Sequence, residues 1–448
     1  MKANTRLIQV ISILIFALIC VSIRGQGIQP PAPVSISTTD TMSVSLPEAE
    51  SILIKNNLYL LARRYDIETA RAQVLQAKLW DNPVFYVETN PLNNSSGRYF
   101  SFIPANNFNP NDKSTIGNEV IANVNQLIKT AGKRSNLVQL NRINAEISEF
   151  VFADAIRSLK YTLRYDYSLM VQFQKSIDLL DNESRSIKVL VDIIQEQLLK
   201  GNFAEKDLLR LQALAFDLQM QRKDFLKQLA DVEAEVRTLL GVRTVVFIKP
   251  IADSTIFKRT IPDRVDSLVS SALDNRPDLK MSESQFRWSS QNLKLQKSLS
   301  VPDVAVTLNY TRYSNYLPDY YGLGVTSNLP LLNRNQGNIK SAKSDIKSSE
   351  SDFENQKIST MNDVISRYLQ LQVTKTAFDN FDRPFVGKFD KYFQKLILNF
   401  QRRVIGLIEF IDFFETYRDT KLSSFNLEQD FFQAQEQLNF SIGKDVIK

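Results

Sequence analysis

The sequence predicts a mixed α and β membrane protein, in which long helices alternate with short strand hairpins, and three observations carry that prediction. The stretch VPDVAVTLNY, residues 301–310, alternates without a slip. Val304, Val306, Leu308 and Tyr310 fall on one face and Asp303, Ala305, Thr307 and Asn309 on the other, the period-two mark of a half-buried strand. The stretches from Lys133 to about Lys175 and from Asn338 to about Phe381 contain no Pro or Gly. Each can run as helix for on the order of 60 Å at 1.5 Å per residue. Finally, the pattern of helix, strand, loop, strand and two long helices is written twice.

In chain order, the N-terminus carries Lys2 and Arg6 ahead of the apolar run LIQVISILIFALIC, then polar residues and QPPAP. That is the layout of a secretory signal peptide, residues 1–25, with cleavage after Gly25 and a linker over 26–45. Cys20, the only cysteine, falls in the leader, and Ile19 sits where a lipidation signal wants a small residue. The mature chain therefore has no thiol for a disulfide or a nucleophile.

The first repeat spans 46–241, with its hairpin over 84–125, and the second spans 266–443, with its hairpin over 303–328. At a shift of about 220, ESILIKNNLYLLARRYDIETARAQVLQAKLWDNPVFYVET (50–89) matches VSSALDNRPDLKMSESQFRWSSQNLKLQKSLSVPDVAVTL (269–308), so Asn56 meets Asn275 and Pro83 meets Pro302. Each reads as one helix of about thirty residues that stops at Pro and becomes a strand. The strands are VFYVET (84–89), NEVIANVN (118–125), DVAVTLNY (303–310) and YGLGVTSN (321–328), paired as two antiparallel hairpins. The first hairpin has the longer loop, NPLNNSSGRYFSFIPANNFNPND, rich in Asn, Ser, Pro and Gly.

Next come the long helices, with breaks expected near Asp181 and Pro384. Their continuation carries a heptad seam, Leu208, Leu211, Ala215, Leu218, Arg222, Phe225, Leu229, Val232, Val236 and Leu239. The second copy repeats it at Phe410, Phe413, Tyr417, Thr420, Ser424, Leu427, Phe431, Ala434 and Leu438. Gly241 and Gly443 fit as helix C-caps. The segment 242–265 is part strand and part linker, and 444–448 is a short tail.

Composition narrows the function classes. Mean hydropathy is −0.21, so this is no polytopic helical membrane protein, and the net charge of +6 is scattered singly along helices, without the basic block that nucleic acid needs. With no His in the chain, the commonest general base and transition-metal ligand are absent. No catalytic constellation or cofactor motif is found. An acid pair such as Asp231 and Glu235 reads as a solvated helix face, and LLKGNF lacks the Lys-Ser and the preceding strand of a phosphate loop. Four strands cannot close a barrel, and an open edge in lipid leaves backbone groups unpaired at several kcal/mol each. A membrane reading thus obliges several copies to share one barrel, with the polar helices projecting into water.

DNPVFYVETN, QLIKTAGKRSN, NRPDL, LPLLNRNQGNIKSAKSD and LLKGNFAEKDLLRLQ, in this order and duplicated, resemble the TolC family of outer-membrane efflux proteins. The likeness covers about residues 45–445 and is strongest to the CusC and CzcC cation-efflux branch. Arg403 standing where the first copy has Gly201, and Gly406 shifted by three, are departures from it. The resemblance implies a homotrimer with a twelve-stranded transmembrane β-barrel, four strands per chain, continued by a periplasmic α-helical barrel. It implies a passive conduit from periplasm to exterior, partnered by a periplasmic adaptor (membrane fusion) protein and an inner-membrane pump of RND type. It also implies that the ends of the helical hairpins farthest from the barrel close the entrance.

Those ends are expected at SIDLLDNES (176–184) and FDNFDRPF (378–385), which makes Asp379, Asp382, Asp178 and Asp181 the gate candidates. Carboxylates copied by symmetry form rings that favour cations and repel one another. Asp382 ahead of Arg383-Pro384 reads first as a helix N-cap, and Asp379 equally as a solvated carboxylate. Val304, Val306, Leu308 and Tyr310 are expected to meet lipid, and Asp303, Ala305, Thr307 and Asn309 to face a water-filled lumen. The competing reading is a periplasmic coiled-coil adaptor or scaffold, which would carry one helical hairpin between β-domains rather than two hairpins between strands.

Overall fold

Ser45 opens the first helix with a capping box closed by Glu48, and Pro47 sits in the first turn, where its missing N–H costs nothing. The computed structural model describes residues 40–89, 92, 93, 98, 99, 119–244, 246–251, 264–312 and 319–447. Almost all of them fall in one unit, Thr41–Val242 with Val246–Lys448; the other, Met1–Asp40 with Arg243–Val245, lies nearly all outside the described residues, as does the leader.

The expected thirty-residue helix is two helices in each copy, a correction with a local cause. α1 (Leu46–Asn56) and α2 (Leu58–Lys78) break at Asn57, whose side chain caps α2 by accepting the Leu60 N–H at 3.0 Å and donates to the Leu239 carbonyl at 2.8 Å. α5 (Val265–Asn275) and α6 (Pro277–Leu299) break at Arg276, which reaches the Ser441 carbonyl at 3.1 Å, Asp278 at 2.7 Å and Asp363 at 2.8 Å. The glycines just past those carbonyls have φ of +65° at Gly241 and +76° at Gly443. A Cβ on Gly241 would lie 2.6 Å from the Asn56 carbonyl oxygen, and one on Gly443 would lie 3.1 Å from the Arg276 Cα. Each break is thus seated on a glycine that no other residue replaces without strain.

α3 (Lys133–Leu199) runs unbroken through Asp181, so the break expected there is absent. The chain turns at residues 200–204, with Gly201 at φ +71°, and returns as α4 (Glu205–Leu239). In the second copy α7 (Gln336–Asn380) does stop before Asp382, but α8 (Arg383–Gln401) continues in the same direction. The stacked pairs Phe378–Phe431, Phe393–Tyr417 and Phe400–Phe410 march antiparallel along α9 (Leu407–Ile442) across the break. The second turn is therefore at 402–406, where Arg403 takes φ +58°. Both expected hairpin ends were placed about twenty residues too early, because Pro384 is compatible with a helix start and need not turn the chain.

The heptad seam of α4 is buried at Leu208, Leu211, Leu218, Val236 and Leu239, and that of α9 at Phe410, Tyr417, Phe431 and Leu438. Towards the turns, Leu180, Ile187, Leu190, Ile194, Leu211, Phe393, Phe400 and Phe410 share one apolar cluster drawn from both hairpins. Towards the break at Asn57, β1 (Asp40–Val44) pairs with β6 (Val246–Pro250), and the Tyr167 hydroxyl bridges the Val44 carbonyl at 3.0 Å and the Ile251 N–H at 2.9 Å.

Four strands form one antiparallel sheet in the order β2 (Val84–Thr89), β5 (Val120–Ile128), β7 (Val304–Arg312), β8 (Asp319–Ser327). The second strand starts at Val120 and reaches Ile128, three residues beyond its expected end. The short β3 (Leu92–Asn93) and β4 (Arg98–Tyr99) pair within the first hairpin's loop.

Candidate membrane face and gate

Register fixes which side chains share a face. Phe85, Val124, Leu308 and Leu323 lie in one row across all four strands, and Val87, Ala122, Tyr310 and Tyr321 in the row beside it. Val306 with Val325, and Val304 with Ile128, extend the same face. Phe85, Leu308, Leu323 and Val325 are 59 to 73% exposed, so this apolar surface has no cover among the described residues. All four expected lipid-facing residues lie on it. The opposite face is polar at its middle, where Asn123 lies against Asn309 and Asn125 donates to the Thr307 hydroxyl at 3.0 Å, with Val84, Ile121 and Leu127 on the same side. Gly324 leaves open backbone on that side of β8, whereas the Tyr320 ring lies over Gly322. Among the described residues, β2 and β8 have no partner at their outer edges.

Nine residues of β7 at about 3.3 Å each span roughly 30 Å. Aromatic side chains stand at both ends: Trp80, exposed under the Arg134 guanidinium at 4.1 Å, precedes β2, and the Tyr310 and Tyr321 rings, 5.1 Å apart, lie towards the other end. Apolar rows bounded by aromatics are what membrane strands present.

The strands are tied to the helices at the sheet's foot. The buried Lys133 ammonium, first in α3, lies 2.6 Å from the Asp303 carboxylate and donates to the Val301 carbonyl at 2.6 Å. The Thr130 N–H donates to the same carboxylate at 2.9 Å. Burial pushes the Asp303 carboxyl up, but these donors together with Lys129 hold it below the usual carboxylate range. Ala131 and Gly132 make the tight turn with φ of +50° and +68°.

At the helical end, three of the four gate candidates engage their own hairpin. Asp181 pairs with Arg222 of α4, Asp379 pairs with Lys375 one helical turn back, and Asp382 caps α8 by accepting the Phe385 N–H at 3.1 Å. Asp178 is exposed on α3. None of the four lies at a turn, the nearest turns being on the order of 30 Å along the helices.

Two carboxylates outside the expected set are more perturbed. Glu183, 1% exposed, has both carboxylate oxygens buried without a hydrogen-bond partner. Burial pushes it up to about 8, against the partial pull of Arg418 and Lys421. Asp166, also buried, is pushed up to about 7 by burial and by Glu235. The legible signal for Glu183 was its place in the seam of α3 between Leu180 and Ile187, where a charge breaks the apolar repeat. Among the described residues no group of three or more acidic, His or Cys side chains is placed to hold a metal ion, and no helix is long and apolar enough to cross a membrane.

The family model described as "Outer membrane efflux protein" matches residues 51–242 and 268–380. The chain belongs to the outer membrane efflux protein family. No curated protein matches the sequence. Among solved structures, CusC is similar over 93% of this chain and 98% of its own, with a TM-score of 0.70 and 15% identity. The CmeC outer membrane channel of Campylobacter jejuni covers 93% of both chains, with a TM-score of 0.69 and 14% identity. The open state of the MtrE outer membrane channel of Neisseria gonorrhoeae covers 94% of this chain and 98% of its own, with a TM-score of 0.67 and 13% identity. This efflux-family chain therefore shares the fold of those channels: strands at one end, long helical hairpins at the other.

Proposed function

We propose that this efflux-family chain is one third of a passive export duct in the outer membrane, whose helical part lies in the periplasm. Three copies bring four strands each to a twelve-stranded transmembrane barrel, with Val304, Val306, Leu308 and Tyr310 against lipid and Thr307 and Asn309 in the lumen. Its two internal repeats, 46–241 and 266–443, give the tunnel equivalent helical hairpins, behind a leader at 1–25.

The observation that carries this reading is the sheet itself, with one apolar face uncovered and both edges open among the described residues. Such a sheet is stable in lipid only when further strands close it. Exposed apolar side chains along the helices support the same partner, a second copy of this chain. Leu58, Leu61 and Tyr65 line the first turns of α2 at three-four spacing, and Ile358, Met361, Ile365, Leu369 and Val373 line α7.

The duct holds no energy source of its own, so an inner-membrane pump, of RND type on the sequence resemblance, supplies cargo through a periplasmic adaptor. Gating is assigned to carboxylate rings at Asp379 and Asp382, with Asp178 and Asp181 as the weaker pair, on the tunnel wall rather than at its turns. Fractionation followed by single-channel recording on purified protein tests the reading. The chain should partition with outer membranes and give discrete conductance steps; a chain that stays soluble and monomeric without detergent rules the duct out.

A further inference from the structure

A hydrophobic pattern of period two rejects a one-residue slip between strands but not a two-residue slip, which returns every side chain to its own face. Something else must therefore choose between the native β5–β7 pairing, Asn125 with Thr307, and the slipped pairing of Asn123 with Thr307. We propose that Lys133 and Asp303 are positioning residues that fix the β5–β7 register within each chain, leaving β8 against β2 of the next copy as the one strand junction made on assembly. This rests on reading the sheet as a third of a shared barrel.

The geometry is that of a key. The Asp303 carboxylate receives the Lys133 ammonium at 2.6 Å and the Thr130 N–H at 2.9 Å, while the Thr130 hydroxyl donates to the Pro302 carbonyl at 2.5 Å. The Ser327 hydroxyl donates to the Asp303 carbonyl at 2.8 Å, so the end of β5, the start of α3, the foot of β7 and the end of β8 converge on one residue. Lys133 is 6% exposed. A slipped strand carries the carboxylate about 7 Å away and leaves an ammonium buried without a counter-charge.

The matching positions of the other copy lack the pair. In the alignment of the two sequence copies, Gly337 stands where Lys133 does and Val84 where Asp303 does. The space beside Gly337 is open, and no charge occupies it. The key is thus built only into the junction that lies within a chain, which lets each copy set its own sheet before it meets another.

Intramolecular disulfide trapping in the full chain tests this, with Cys20→Ser to remove the natural thiol. One reporter carries Asn125→Cys with Thr307→Cys, the native pair; the other carries Asn123→Cys with Thr307→Cys, the slipped pair. With Lys133 intact the native pair should cross-link at least about tenfold more than the slipped pair. Lys133→Met should bring the two yields to within about threefold, and Lys133→Arg should restore the preference. Asp303→Asn, nearly isosteric and still able to accept from Thr130, repeats the test where the Met variant fails to fold. An undiminished preference in both neutralised variants overturns the assignment. Because the cross-link is read within one chain, absence of conductance with clamp-dependent cross-linking counts against the barrel and leaves the clamp standing.

Discussion

At the scale of single residues, the most consequential group is Glu183, a carboxyl held neutral among Leu180, Ile187 and the α9 side chains Tyr417 and Arg418. Its folded pKa, about 8, lies above the ordinary 4.5, so the folded state binds one more proton than the unfolded chain between those values. The stability it permits is therefore complete below about pH 4.5 and is lost as pH rises through about 8. Glu183→Gln should leave the melting temperature near wild type at pH 5 and raise it at pH 8.5, by the equivalent of roughly 3 kcal/mol; a pH-independent difference contradicts the assignment. Gly241→Ala forces a Cβ to 2.6 Å from the Asn56 oxygen at a φ of +65°, and should cost roughly 2 kcal/mol, more than Gly443→Ala, whose nearest contact is 3.1 Å. Both glycines were legible as helix ends because TLLGV and FSIGK close apolar seams. That a second helix break rests on each was not legible, since it depends on contacts across 182 residues of chain, Asn57 to Leu239, and 165 residues, Arg276 to Ser441.

At the scale of elements, strands were easier to read than helix ends. Period-two alternation locates DVAVTLNY and VFYVET to within a residue or two, because one face is apolar throughout. The turns were missed because the strongest breaker, Pro384, lies where a helix restarts, while the chain reverses at KGNFA and RRVIG, one of which puts Arg rather than Gly at positive φ. The Asp382 side chain accordingly has a demonstrated local task as the cap of α8. Asp382→Ala should cost about 1 kcal/mol and speed amide exchange in the first turn of α8. If the acidic ring also gates, removing both Asp379 and Asp382 should raise single-channel conductance and lower cation preference; unchanged conductance and selectivity leave Asp382 with capping alone. The α8–α9 pairing, an aromatic ladder of Phe389, Phe393, Phe400, Phe410 and Phe414, has no counterpart of that density in the first hairpin.

At the scale of the whole molecule, the account turns on an uncovered apolar sheet and on what covers it. Clusters of buried Leu, Ile and Phe hold the helices together in water, whereas the sheet's row Phe85, Val124, Leu308, Leu323 has no cover among the described residues. A single Arg on that row should disable insertion at about 2–4 kcal/mol per copy, while Thr307→Arg on the polar face should be tolerated and reduce cation passage. The most direct measurement is a cysteine scan of residues 304–310, in a chain lacking Cys20, with a fluorophore attached at each position in lipid vesicles and quenched from either side. Positions 304, 306, 308 and 310 should respond to a lipid-soluble quencher, and 305, 307 and 309 to iodide in the aqueous phase. Quenching by iodide at every position, with none from the lipid side, would contradict the membrane barrel.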